Sequence, residues 1–239
     1  MKKLRALLLA AGFGTRLKPI TNNIPKCLVE ISGKPLLGRW IKQLEVLGCD
    51  SILLNTHYLS NLVVNYLNSL PKNRSKIKTS HEQELKGTAG TLFDNIDFFD
   101  GYTGIFLHAD NVSNFDLRDL LKAHQNRPRQ CILTMLTFNC DNPQTAGIIE
   151  KDSHNILVAF HEKVQNPPNN CANAAIYVFD EEFIEWIKQL NFKPYDFSID
   201  IIPLLLGKIF TFHTDEVYLD IGTPSSLKFA QNFFKKSTL

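Results

Sequence analysis

Zinc-binding and disulfide patterns are missing from this chain. Its five cysteines (Cys27, Cys49, Cys131, Cys140 and Cys171) form no C-x-x-C pair, so no zinc site is suggested. An odd, dispersed count fits reduced, mostly buried thiols rather than a disulfide framework. No H-E-x-x-H and no G-x-S-x-G occurs, which leaves zinc-hydrolase and serine-hydrolase chemistry unsupported. No run approaches the ~18 apolar residues of a membrane span. The net charge is only +2, so no strong field for nucleic acid or an anionic membrane is implied. The expectation is therefore a cytoplasmic protein with no nucleic-acid and no membrane partner. Internal repeats and linker-like composition are absent too. The only Pro/Asn-rich loop, 165–170, is too short to separate domains.

What is present is a core. With 239 residues and 44% hydrophobic content, the chain can bury one large α/β domain. Residues 4–10 form a short apolar run that reads as a buried strand. Lys2, Lys3 and Arg5 ahead of 6–11 imitate a signal peptide, but cleavage there would discard that strand. Helical spacing marks 35–48, with Gly48 placed as a C-cap, and 59–70, closed by Pro71. Strands are expected at 51–55 and 76–80, a helix at 87–98, a strand at 104–108 and a helix at 115–126. Alternating strands and helices argue a doubly wound, mainly parallel sheet. Ligands in such sheets sit beyond the carboxyl ends of the strands. The texture then changes to short strands at 130–138, 145–150, 155–161 and 172–179. An apolar helix follows at 197–206, then strands at 209–213 and 217–219 and a last helix from Pro224 to Lys236. This predicts a single domain over 1–239, with one half at 1–128 and a strand-rich lobe at 129–239.

The chemistry-bearing residues sit at the ends of those strands. After the first strand the chain turns through Gly12 and Gly14, which lack a Cβ and let the backbone come close to a ligand. Successive N–H groups in such a turn make an anion-binding concavity. Arg16 adds a planar fork suited to phosphate oxygens, and Lys18 and Lys26 add charge. A Walker A loop would need G-x-x-x-x-G-K-[ST], and a dinucleotide fingerprint a third glycine at position 17, where Leu17 stands. Neither fits. Asp110 follows an apolar strand, where an acid is placed to hold a divalent cation on phosphates. Glu162 can accept from hydroxyls and Lys163 suits a phosphate monoester.

Together these motifs resemble the signature of the sugar-1-phosphate nucleotidyltransferases. The match at 9–28 reads L-A-A-G-x-G-T-R-L-x-P-x-T-x-x-x-P-K-x-L. Further matches are G-T-A-G at 87–90, F-x-E-K at 160–163, and D-I-G-T-P at 220–224. Two positions depart: Ala109 replaces the glycine before Asp110, and Ala175 the glycine of N-x-G-I-Y-x-F at 173–179. The resemblance is closest to short, single-domain, mannose-1-phosphate guanylyltransferase-like members. It implies a Rossmann-like nucleotidyltransferase fold whose strand-rich lobe takes the sugar. It assigns Leu9, Ala10, Ala11, Gly12, Gly14, Thr15, Gly87 and Thr88 to the nucleotide, and Arg16, Lys26 and Lys163 to catalysis. Glu162 and Asn173 would bind sugar hydroxyls, and Asp110 and Asp220 would hold Mg²⁺. Asp200 also matches but reads as structural. The implied reaction joins an NTP and a sugar 1-phosphate with release of pyrophosphate. Guanine and mannose lead, with uridylyl, thymidylyl or cytidylyl transfer to another sugar as the alternative. A glycosyltransferase would more often carry D-x-D, absent at 110–112, and a non-catalytic sensor could lack Lys163 or a metal carboxylate. Whether the chain forms a homo-oligomer is left open.

Overall fold

The computed structural model describes residues 2–71 and 76–236. The chain divides into two compact units, each drawn from three stretches of sequence. One comprises Met1–Arg5, Lys86–Leu107 and Phe115–Glu216; the other comprises Ala6–Leu85, His108–Asn114 and Val217–Leu239. Neither coincides with 1–128 or 129–239. Among the described residues no helix is long and apolar enough to cross a membrane.

The unit that holds the glycine turn is the α/β part. Its strands run in the order Leu4–Leu9 (from Ala6 onward in this unit), Cys49–Thr56, Lys76–His81. The last two pair in parallel, Ile52 against Ile77 and Thr56 against His81. All of Cys49–Thr56 except Asp50 is buried, and its centre, Ile52 to Leu54, is apolar without a break, as in a strand covered on both faces. The helix Leu36–Val46 buries Leu36, Leu37, Trp40, Ile41 and Leu44, spaced along one face. Gly48 follows it with φ +81°, so the glycine does end the helix. A second core joins Leu17, Ile31, Leu36, Val112, Ile221 and Leu227 with Phe234 of the last helix, Pro224–Lys236.

The other unit is richer in strands and mostly antiparallel. Cys171–Phe179 pairs with Thr103–His108 (Ile176 opposite Leu107) and with Leu133–Asn139. Gly147–Lys151 pairs with Leu157–Glu162, while Ile209–Thr214 runs parallel to Leu133–Asn139. Phe99, Phe106, Tyr177, Phe179, Phe183 and Phe197 stack through its core, with Tyr177 and Phe197 centred 4.5 Å apart.

Several expected elements differ. The helix at 87–98 is Gly87–Asp94, followed by a tight turn at Ile96–Phe99. Asn95 breaks it, donating from its side chain to the Thr91 carbonyl at 2.8 Å. The helix at 115–126 starts at Leu117, because Asp116 is its cap and accepts from Arg118 N. The stretch 197–206 is no α-helix but a wide turn, Phe197–Ile201, then a tight one, Ile202–Leu205; Pro203 has no N–H to continue a ladder. A helix at Glu181–Lys188, to which the sequence reading assigns nothing, buries Phe183, Ile184 and Ile187.

Candidate active site

A glycine-dependent turn, the turn Lys26–Leu28 and one short ribbon frame a cavity of about 210 Å³ in the α/β unit. Leu9, Ala10, Gly12, Gly14, Thr15, Arg16, Lys26 and Asp110 line it, with Cys27 and Gly222. Ala11 is buried behind the turn.

Each charged residue has a local reason for its place. Gly14 adopts φ +62°, a conformation that suits glycine, and begins the tight turn Thr15–Leu17 that carries Arg16. A Cβ at Gly14 would sit 2.9 Å from Thr21 Cγ2 and 3.1 Å from Lys26 Cβ. Thr21 Oγ1 in turn donates to the Gly14 carbonyl at 2.8 Å. Pro25 precedes the turn Lys26–Leu28, which seats Lys26 almost fully buried.

Asp110 and Asp220 do not meet on the edge of the main sheet, as expected from two strand ends. A separate antiparallel ribbon brings them together, Asn111–Ser113 against Tyr218–Asp220, with Asp220 opposite Asn111. Trp40 Nε1 donates to the Asn111 carbonyl at 2.8 Å, and the Asn111 side chain donates to Tyr218 Oη at 2.6 Å. Ala109 is buried, and its N–H donates to the Leu9 carbonyl at 2.9 Å; it is not among the positive-φ residues, so alanine is accommodated there.

The charges form one network. The Lys26 ammonium lies 2.7 Å from Asp110 Oδ2 and 2.9 Å from Asp220 Oδ1. Arg16 reaches Asp220 Oδ2 at 3.3 Å. Burial works to lower the Lys26 pKa, but Asp110 and Asp220 outweigh it and the net shift is upward. For Asp110 burial works upward, and Lys26, then His108, carry the net shift below the ordinary value. Both stay charged at neutral pH. Cys27 is pushed up to about 12 by burial and then by Asp110, so this cavity-lining thiol stays protonated and is no nucleophile.

Sequence reasoning missed Gly222. A Cβ there would lie 2.7 Å from Asp220 Oδ2 and 3.0 Å from the Arg16 guanidinium. Its signal was present, as the glycine of D-I-G-T-P.

The remaining expected residues belong to the other unit. Gly87 (φ +73°) admits the backbone of Tyr195, whose carbonyl would stand 2.2 Å from a Cβ, and Thr88 Oγ1 accepts from Phe197 N at 2.7 Å. Both thus have packing duties. Lys163 pairs with Glu162 at 2.8 Å and adopts φ +51°. Asn173 Oδ1 accepts from Ala175 N at 2.8 Å, and its Nδ2 donates to Tyr177 Oη at 2.7 Å. Gly147, also missed, lies opposite Glu162, and a Cβ on it would come 2.7 Å from that carboxylate. Asp200 is structural: it accepts from Tyr195 N and Asp196 N at 2.7 and 2.8 Å.

The chain is similar to known proteins. The chain is 30% identical over 233 residues to the mannose-1-phosphate guanylyltransferase catalytic subunit beta of Danio rerio, covering 92% of this chain and 62% of that one. It is 31% identical over 228 residues to the mannose-1-phosphate guanyltransferase of Pichia angusta, covering 92% and 61%. The chain thus spans about three fifths of the length of these relatives. Among solved structures, HddC from Yersinia pseudotuberculosis superposes with a TM-score of 0.81 at 25% identity, covering 98% of this chain and all of that one. A second structure of HddC, complexed with GMP-PN, gives 0.78 at 24%. The family profile described as nucleotidyl transferase matches residues 5–237, and this chain belongs to that family.

Proposed function

We propose that this chain transfers a nucleotidyl group from a nucleoside triphosphate to a sugar 1-phosphate, with GTP and a mannose-1-phosphate-like sugar as the leading pair. One observation carries the reading. A buried ammonium, Lys26, is shared by two carboxylates, Asp110 and Asp220, inside a cavity rimmed by a glycine turn and Arg16. That is a seat for an anion that arrives with its own cation.

The sugar phosphate already carries an anionic oxygen, so no protein nucleophile is required. That oxygen forms a bond to the α-phosphorus, the α–β bridging P–O bond breaks, and pyrophosphate leaves with the electron pair. Catalysis is then positioning and charge neutralisation. The turn 11–15 would cradle the triphosphate through backbone N–H groups, with Leu9 and Ala10 at its root. Arg16 disperses charge on the leaving pyrophosphate, and Lys26 holds the triphosphate near its α-phosphate.

Asp110 and Asp220 would hold Mg²⁺. They fit it: both are hard oxygen donors, and both already converge on one cation. Among the described residues no group of three or more His, Cys, Asp or Glu gathers around such a point. Two carboxylates with phosphate and water completing the shell is how Mg²⁺ is usually held. When bound, the ion polarises phosphate oxygens.

In the other unit, Lys163 would align the incoming phosphate while Glu162 and Asn173 bind sugar hydroxyls. Gly87 and Thr88 would lie against the base. The guanine and mannose lean rests on the relatives' names and on the GMP-PN complex of HddC. A panel of NTPs and sugar 1-phosphates, scored by pyrophosphate release, tests the reading. Release only when both substrates are present is expected; sugar-independent NTP hydrolysis would point to another reaction.

A further inference from the structure

The phosphate turn is gripped from outside by three side chains that the catalytic account does not use: Asn55, His57 and Tyr58. They lie at and just beyond the carboxyl end of the strand Cys49–Thr56. Asn55 Oδ1 accepts from Ala10 N at 2.7 Å, at the residue where the first strand gives way to the turn. Asn55 Nδ2 donates to Glu82 Oε1 at 3.0 Å. Both partners are buried, Asn55 at 4% exposure and Glu82 at 1%. Glu82 is fixed through its backbone: its N–H donates to the Thr56 carbonyl, and its carbonyl accepts from His57 Nδ1, each at 2.8 Å. The edge of His57 meets Phe13 with ring centres 5.3 Å apart. Tyr58 packs on Phe13 at 5.6 Å and donates from Oη to the carbonyls of Thr21 and Asn22 at 3.0 and 3.2 Å.

A buried carboxylate–amide pair is costly where an apolar pair would pack as well. Here the amide does what no apolar side chain can. It fixes the direction of the Ala10 N–H, the last anchored point before a turn with two glycines. Such a turn is free to wander unless it is held from outside, and an anion cradle works only with its donors preset.

We propose that Asn55, braced by Glu82, is a positioning residue for the triphosphate-binding turn. This rests on the nucleotidyltransferase reading, but its test separates the two. In Asn55→Leu, KM for the NTP should rise about ten-fold, the scale of one buried hydrogen bond. KM for the sugar phosphate should stay within about two-fold, a change too small to reflect a lost contact. The double substitution Asn55→Asp with Glu82→Gln moves the amide to the other partner. It keeps the acceptor for Ala10 N–H and the hydrogen bond between the two side chains. It should restore the NTP KM to within about three-fold of wild type, since both of these interactions are retained. Equal rises in both KM values, no rise at all, or failure of the swap to rescue would overturn the proposal. If Asn55→Leu does not fold, the swap decides alone, and a ten-fold rise in its NTP KM rejects the assignment. If the wild type turns over no substrate pair, the nucleotidyltransferase reading fails, and amide exchange of residues 10–17 decides the positioning role. Faster exchange in Asn55→Leu, reversed by the swap, is expected; exchange as in wild type overturns it.

Discussion

Lys26 and Asp110 keep each other charged. Their side chains meet at 2.7 Å. Burial opposes both charges, yet the Lys26 pKa moves up and that of Asp110 moves down. The same ammonium lies 2.9 Å from Asp220. If Asp110 and Asp220 hold a divalent cation as proposed, Lys26 would compete with it for them in the absence of nucleotide. Lys26→Met should bind Mn²⁺ without nucleotide more tightly than wild type, by about ten- to a hundred-fold, as expected when charge-assisted hydrogen bonds no longer compete. Titration calorimetry measures this apart from turnover. An unchanged affinity would mean that the two carboxylates do not share a cation.

Asp110→Asn and Asp220→Asn keep the shape of each side chain and remove one charge. Each should lower kcat by at least ~10²-fold, the scale of losing one preorganised electrostatic group. The two losses should be strongly non-additive, since both residues act at one point. EDTA should abolish wild-type turnover, and Mg²⁺ or Mn²⁺ should restore it. Additive losses in steady-state kinetics would separate the two residues into independent roles.

Lys163→Ala should raise KM for the sugar phosphate and leave NTP binding unchanged. One charge-assisted contact to phosphate is worth about ten- to a hundred-fold in kcat/KM. Nucleotide affinity measured without the sugar phosphate is the control; an equal fall there would move Lys163 to the triphosphate.

Acid should destabilise the strand-rich unit through His124 and Asp180. His124 Nε2 lies 3.3 Å from Asp180 Oδ2 and Nδ1 lies 2.8 Å from Thr134 Oγ1. Burial first holds the His124 pKa below its ordinary 6.5. For Asp180 burial acts upward, but His124 and Thr103 carry the net well below the usual carboxylate range. Both pKa values are depressed by folding. The stabilisation is therefore complete above the unfolded value of each group and is lost as pH falls. The imidazole begins to matter below 6.5, the carboxylate only below 3.8. Wild-type Tm should fall between pH 7 and pH 5, and His124→Gln, which cannot take up a proton, should flatten that slope. Parallel slopes in thermal melts would remove His124 from the account.

The charged half of the site was legible because phosphate chemistry demands cations and carboxylates in recognisable places. Gly12 and Asp110 sit just past the end of an apolar run, Arg16 and Lys26 sit in turns, and the cavity gathers all four. Of the ribbon that brings Asp110 and Asp220 together, the strand at 217–219 was legible, but its partner Asn111–Ser113 was hidden: three residues carry no periodicity. Gly87 was read for a ligand alone; its missing Cβ also makes room for Tyr195, a neighbour 108 positions away. Asn55 and Gly222 act through contacts that exist only once the chain has folded. The helix 197–206 failed on Pro203, whose missing N–H outweighed an apolar pattern.

Two alanine–glycine exchanges separate backbone strain from crowding of the site. Ala175 stands at φ +53°, where a Cβ costs roughly 1–2 kcal/mol. Ala175→Gly should remove that cost, offset by about 0.5–1 kcal/mol of extra chain entropy. The net change in Tm should be small and upward. Gly222 has no positive φ, so Gly222→Ala should leave the backbone unstrained. Its new methyl instead meets Asp220 Oδ2 at 2.7 Å and the Arg16 guanidinium at 3.0 Å. One of those side chains must move, and both are assigned to the triphosphate or its cation. We expect kcat/KM for the NTP to fall at least about ten-fold, the scale of one displaced charged contact. Tm should change by less than a few degrees, because the two side chains are half-exposed and contribute little to stability. Paired melting and kinetic measurements decide it: an unchanged kcat/KM in Gly222→Ala would mean that Arg16 and Asp220 need not meet for the reaction.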